Sequence, residues 1–126
     1  MNRFTVILKR FKRWKFLKFK KQSIVSFPQR SAICLKVLTI SPKKPNSANR
    51  RVSKIKLLKT KHTLTTKIPG EGHNLQQHST ILIRSGRSRD LIGVKSIAVR
   101  GKFDLNAVVS RTTSRSCYGV KKPKKF

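Results

Sequence analysis

Between residues 32 and 110 the apolar positions come in short, β-branched, partly alternating runs, and nowhere hold a helical period for more than about two turns. Five such runs stand out, at 32–40 (AICLKVLTI), 52–58, 62–68, 80–84 and 95–100. Each is rich in Ile, Val, Leu and Thr, residues that suit a pleated, half-buried surface. Lys59, Thr60 and Lys61 form a tight link between the second and third runs, and Pro69, Gly70, Glu71 and Gly72 interrupt any ladder after the third. Five short strands in so short a span, separated by turn signals, predict an all-β domain. The five-stranded OB-type barrel fits best, and its usual nucleic-acid surface includes the loops between strands 1–2 and 4–5. Those loops fall at residues 41–51 and 85–94, which are also the longest non-terminal basic loops.

The ends are patterned differently. In residues 3–20, Phe4, Ile7, Leu8, Phe11 and Trp14 fall at helical spacing, with Lys9, Arg10, Lys12, Arg13 and Lys15 between them. A basic amphipathic stripe of this kind suits a membrane surface, a removable organelle-targeting segment, or an arm that orders when buried in RNA. Six of the nine aromatics lie in the first 27 residues, so the arm is expected not to feed the core. The predicted organisation is a long basic aromatic-rich N-terminal extension over 1–30, the barrel over 31–110, and a short basic C-terminal tail over 111–126.

Charge narrows the partner. The 126 residues carry 32 Lys plus Arg against 3 acids (Glu71, Asp90 and Asp104), a formal net charge of +29. Self-repulsion on that scale opposes a compact state, and a core of this size buries little surface to offset it. A neutralising polyanion is therefore implied. Nucleic acid fits better than an anionic membrane, because the cations extend over the whole chain. Two cysteines, Cys34 and Cys117, make neither a disulfide framework nor a zinc site, and His73 and His78 lack further ligands at metal spacing. Gly70, Glu71 and Gly72 lack the Lys-Ser/Thr that completes a phosphate-cradling loop. No catalytic residue, cofactor, metal or homo-oligomer is expected.

The first loop has the chemistry of an RNA reader. In SPKKPNSANRR, two prolines stiffen the backbone, Lys43 and Lys44 suit phosphates, and Asn46 and Ser47 can bond ribose hydroxyls and base edges. At this stretch the chain closely resembles the small-subunit ribosomal protein S-twelve family. The likeness continues through IPGEGHNLQQHSTILIRSGRSRDLIGVK, VRG and SRSCYGVKKPK, spanning residues 28–124 with compatible spacing. It departs at Asn49 (usually Leu), Ser85 (usually Gly), Arg89 (usually Lys), Ile92 (usually Pro) and Cys117 (usually basic).

The resemblance implies an OB-type barrel in the small ribosomal subunit, with two loops near the codon–anticodon helix of mRNA and tRNA at the decoding site. Carried over by motif, the first loop is Lys43, Lys44, Pro45, Asn46 and Ser47, and the second is Arg87, Arg89, Asp90 and Gly93. Lys9, Arg10, Lys12, Arg13 and Lys15 of the arm are expected on small-subunit rRNA, with Arg50, Arg51, Arg100, Arg115, Lys121 and Lys122. Neighbouring ribosomal proteins are the other expected partners. Usage rich in Lys, Phe, Ile and Asn points to a mitochondrial ribosome, with a plastid or bacterial cytoplasmic one as alternatives. The competing functions are an extra-ribosomal RNA-binding or RNA-chaperone OB module and a cationic membrane-active protein built on residues 3–20.

Overall fold

The computed structural model describes residues 27–124, so the arm cations Lys9 to Lys15 lie outside the described residues. Five strands follow in order: β1 (Gln29–Ile40), β2 (Arg50–Leu57), β3 (Thr63–Lys67), β4 (Thr80–Ser85) and β5 (Ser96–Phe103). They close into a barrel in the order β1-β2-β3-β5-β4. All pairs are antiparallel except β3 with β5. The five predicted runs are the five strands, with boundaries shifted by a few residues.

Strand β1 is the longest because it pairs on both sides. Its first half, from Gln29 to Ile33, runs against β4, and its second half, to Ile40, runs against β2. Closure of a small barrel requires such a stagger. A bulge between Cys34 and Lys36, at Leu35, interrupts the pairing with β2 just past the stretch that also pairs with β4, where an extra residue bends a strand and increases its twist.

Alternation builds the interior. Ala32, Ile55, Leu57, Ile81, Ile83 and Ala98 point inward and are buried, and Phe27, Ile68, Leu75 and Leu105 join their cluster. The inside is not wholly apolar: Thr66 Oγ1 and Ser96 Oγ lie 2.7 Å apart and hydrogen-bonded where β3 meets β5. Phe27 corrects an expectation. Counted with an arm that does not feed the core, it is 5% exposed and packs in it. The cause is local, since Pro28 biases the preceding residue to extended backbone, which carries Phe27 into line with β1.

Beyond β5 the chain folds back on the barrel. Val108 N–H donates to Tyr118 O (3.2 Å), the Arg111 guanidinium lies 4.3 Å from the Tyr118 ring centroid, and a single 3-10 turn (Arg115–Tyr118) precedes Gly119. Gly119 sits against β5 with φ +74°, where a Cβ would fall 2.7 Å from Arg100 O. Replacement therefore forces both strain and separation of two backbones. Gly119→Ala should cost about 1–3 kcal/mol and release the tail while the strands persist. Limited proteolysis should show faster cleavage within 106–120 and unchanged cleavage within β1–β5; equal cleavage throughout would refute the docking role of Gly119.

Candidate nucleic-acid interface

The β1–β2 loop and the β4–β5 loop meet at one end of the barrel. The second is an arm of near-hairpin geometry, with Gly86 N–H donating to Lys95 O (3.2 Å) and Ser88 N–H to Val94 O (3.4 Å). Gly93 turns its tip with φ +79°, a conformation that costs glycine little. The arm is seated by an apolar seam outside the barrel wall. Leu91 and Val94 pack on Val52, flanked by Leu38 and Ile40.

Polar contacts then fasten the two loops. Lys43 N–H donates to Asp90 O (2.8 Å), and Arg50 Nε donates to Asp90 Oδ2 (3.1 Å). Ser88 Oγ donates to Asp90 Oδ1 (3.0 Å). Asp90 is thus held at both oxygens and at its carbonyl. Its pKa is lowered, first by its own backbone N–H and then by Ser88; desolvation opposes them, and Arg50 and Lys67 add smaller lowering effects. The base of the first loop is closed by Ser41 Oγ donating to Asn49 Oδ1 (3.2 Å). Asn49 therefore has a local role that the Leu usual in the family cannot fill.

What remains exposed is a cationic tip. Lys43, Lys44, Pro45, Asn46, Ser47, Arg87 and Arg89 are exposed, and a groove lies between the loops, bounded by Lys43, Lys44, Pro45, Asn46, Arg87, Arg89 and Asp90. Ile92 stands out from the tip at 85% exposure. The two loops picked from the sequence are brought together. Asp90 is the bracket between them, a role that spacing alone did not reveal.

The other candidate cations are placed variously. Arg51 turns away from Arg50, donates to Thr39 Oγ1 (2.9 Å), and borders the opposite face of β2 near His73. Lys121 and Lys122 are exposed on the tail, and Arg115 is half-buried in the 3-10 turn. Arg100 is the departure. Expected on RNA, it is 5% exposed and donates to the carbonyls of Pro69 (2.8 Å), Asn106 (3.2 Å) and Gly72. Ser96, Ala98 and Arg100 share the inward parity of β5, and that alternation was the available signal. Desolvation lowers the Arg100 pKa, but a guanidinium stays charged in proteins. Burial, then the charges of Arg51 and Arg100, lowers the pKa of His73, whose Nδ1 is buried without a hydrogen-bond partner.

A closed five-stranded barrel with a fastened, acid-poor cationic tip defines an RNA-binding protein of the OB class. Comparison with known proteins makes the assignment specific. The family described as Ribosomal protein S12/S23 matches residues 17–125. The chain is similar to the small ribosomal subunit protein uS12m of Bigelowiella natans, 51% identical over 104 residues that cover 82% of each chain. It belongs to the ribosomal protein S12/S23 family.

Two experiments separate bracket from surface. Asp90→Asn weakens a partly exposed, solvent-screened ion pair, so it should loosen the loops without unfolding the barrel. Hydrogen exchange at the Lys43 amide should accelerate up to about fivefold, with the β1–β2 amides unmoved; an unchanged Lys43 rate would remove Asp90 from this role. Arg100→Gln strands buried carbonyls and should cost roughly 2–4 kcal/mol, whereas Arg89→Gln should stay within about 0.5 kcal/mol. Denaturant titration compares them, and equal midpoints would mean that Arg100 is not a structural cation.

Proposed function

We propose that this chain is a structural constituent of the small subunit of a mitochondrial ribosome, that its barrel and basic segments bind small-subunit rRNA, and that its tip stands at the decoding site and contributes to translational accuracy. The observation that carries the reading is the fastening of the two loops through Asp90, which holds Lys43, Lys44, Arg87 and Arg89 on one surface. A rigid cationic edge with a short polar tip suits the shallow minor-groove side of an RNA helix. Lys43, Lys44, Arg87 and Arg89 face phosphates. Asn46 and Ser47 face 2′-hydroxyls or base edges of the codon–anticodon helix, or of the rRNA that inspects it. Family membership supports the ribosomal role, and likeness to the uS12m chain supports the small subunit and the organelle. Neighbouring ribosomal proteins complete the set of partners. The N-terminal arm is assigned to rRNA, with Lys9, Arg10, Lys12, Arg13 and Lys15 on phosphates.

The polar and cationic parts of the tip should separate in experiment. Ser47→Ala removes one hydroxyl, worth about 1 kcal/mol or roughly fivefold in an equilibrium. That loss should fall on near-cognate incorporation by assembled subunits and leave subunit yield near normal. Lys44→Ala removes a phosphate contact and should change elongation rate by biasing the subunit between open and closed forms. In vitro translation on subunits carrying each variant reads both effects. Normal assembly with unchanged error and speed in both variants would leave only the scaffold role.

A further inference from the structure

The tip loops are not the one basic surface of the barrel. Register places Lys36 opposite Lys54 across β1–β2, and Lys54 opposite Thr65 across β2–β3. The neighbouring rows on the same outer face are Ile33, Lys56 and Thr63, and Leu38, Val52 and Lys67. Lys36, Lys54 and Lys56 are exposed and Lys67 is half-buried. Lys67 shares its row with Leu38 and Val52, on which Leu91 and Val94 of the tip arm pack, so the lysine face borders the tip. At the other end the turn after β2 adds exposed Lys59 and Lys61.

Two features show that this is a patterned face. Like charges directly opposite each other destabilise a strand pair, yet Lys36 and Lys54 face one another. Among the described residues the one ion pair is Arg50–Asp90, so no carboxylate relieves them. The outer side of β4–β5 is built otherwise, with half-buried Leu82, Ile97 and Val99 around Arg84. Lysines stand in cross-strand register on the β1–β2–β3 side, whereas Arg84 and Lys102 are the exposed cations within β4 and β5.

We propose that the outer face of β1–β2–β3, with Lys36, Lys54 and Lys56 at its centre, is a second rRNA surface that tracks a phosphate backbone leading away from the tip. This rests on the ribosomal reading above and adds a surface to it. Strand β2 advances about 3.4 Å per residue and its outward side chains recur every second residue, so Lys54 and Lys56 stand as successive outward cations with Lys36 beside them on β1. Threonines 63 and 65 beside it can bond phosphate oxygens or 2′-hydroxyls. Charge complementarity selects a polyanion, and the row's continuity with the tip selects the same RNA over a separate membrane.

The test is a salt titration of the full chain binding protein-free small-subunit rRNA, comparing wild type with the triple variant Lys36→Gln, Lys54→Gln, Lys56→Gln, which keeps the aliphatic stems. Three lost phosphate contacts should make the log–log slope shallower by roughly 2 to 3. Native amide dispersion in the variant–rRNA complex confirms that the barrel is formed. An unchanged slope would overturn this surface alone, whereas a wild-type chain that fails to bind rRNA would remove the ribosomal reading with it. Phosphatidylglycerol vesicles form the second arm. If the triple variant loses vesicle binding and keeps its rRNA slope, the face belongs to a membrane and the proposal is wrong.

Discussion

The molecule depends on how its barrel closes. Tracing partners from β4 around the wall runs from Arg84 to Ile97, Lys67 and Val52, and reaches β1 at Leu38; yet Arg84 also pairs directly with Gln29 at the start of β1. This offset is the stagger of the barrel, and it fixes which loops share an end. It sets the β4–β5 arm beside the start of β2, where the β1–β2 loop emerges. The closing seam between β3 and β5 is only two residue pairs long, at Thr66–Ser96 and Lys67–Ile97. A buried hydroxyl pair sits in that seam, and Ser96 Oγ also lies 3.1 Å from Thr65 O. A hydrogen bond inside a low-dielectric wall is strengthened by its surroundings and costly to leave unmade. The shortest join of the barrel is thereby given a definite geometry.

A second constraint is the scarcity of negative charge, which makes each carboxylate count. Asp90 joins the two loops, and Asp104 Oδ2 accepts the Thr80 N–H (2.6 Å) at the other end of β4. Both spend their oxygens on holding backbone and loops in place. Glu71 is exposed on the loop after β3. Among the described residues the fold leaves exposed cations without a carboxylate partner, notably on the tip and on the β1–β2–β3 face. Repulsion there is relieved when RNA phosphate arrives, so the same charges that oppose compaction of the free chain favour the complex.

Much of this was legible in the sequence. β-branched alternation located five strands, and their count and spacing were enough to choose a barrel and to pick two loops that meet at one end of it. Three features escaped. Arg100 read as a surface cation because its charge outweighed its inward parity beside Ser96 and Ala98. Phe27 read as part of the arm because aromatic density grouped it there, although Pro28 marks extended backbone. The seam of Val52 with Leu91 and Val94 was hidden for a different reason. Val52 lies in β2 on the outward side, where alternation expects polar residues, and only the folded arm supplies the cover that makes it apolar. Periodicity reports which face a residue takes, not what a loop distant in sequence lays across it.

The division between arginine and lysine follows from the same physics. The cations engaged by groups of the protein itself are mostly arginines: Arg50 on Asp90, Arg51 on Thr39, Arg100 on three carbonyls and Arg111 over Tyr118, beside Lys102 over Phe103. A guanidinium offers five donors in a plane and is weakly hydrated, so it can serve several acceptors or lie on a ring with modest desolvation. The outer face of β1–β2–β3 is filled by Lys36, Lys54 and Lys56, whose compact ammonium groups are strongly hydrated and resist burial. Such groups suit a phosphate backbone that is met through solvent and read for charge alone. Arg87 and Arg89 are the arginines left exposed on the loop arm, where a planar set of donors can match geometry as well as charge. The residue at each position thus separates cations that hold the fold from ammonium groups left in solvent on the β1–β2–β3 face.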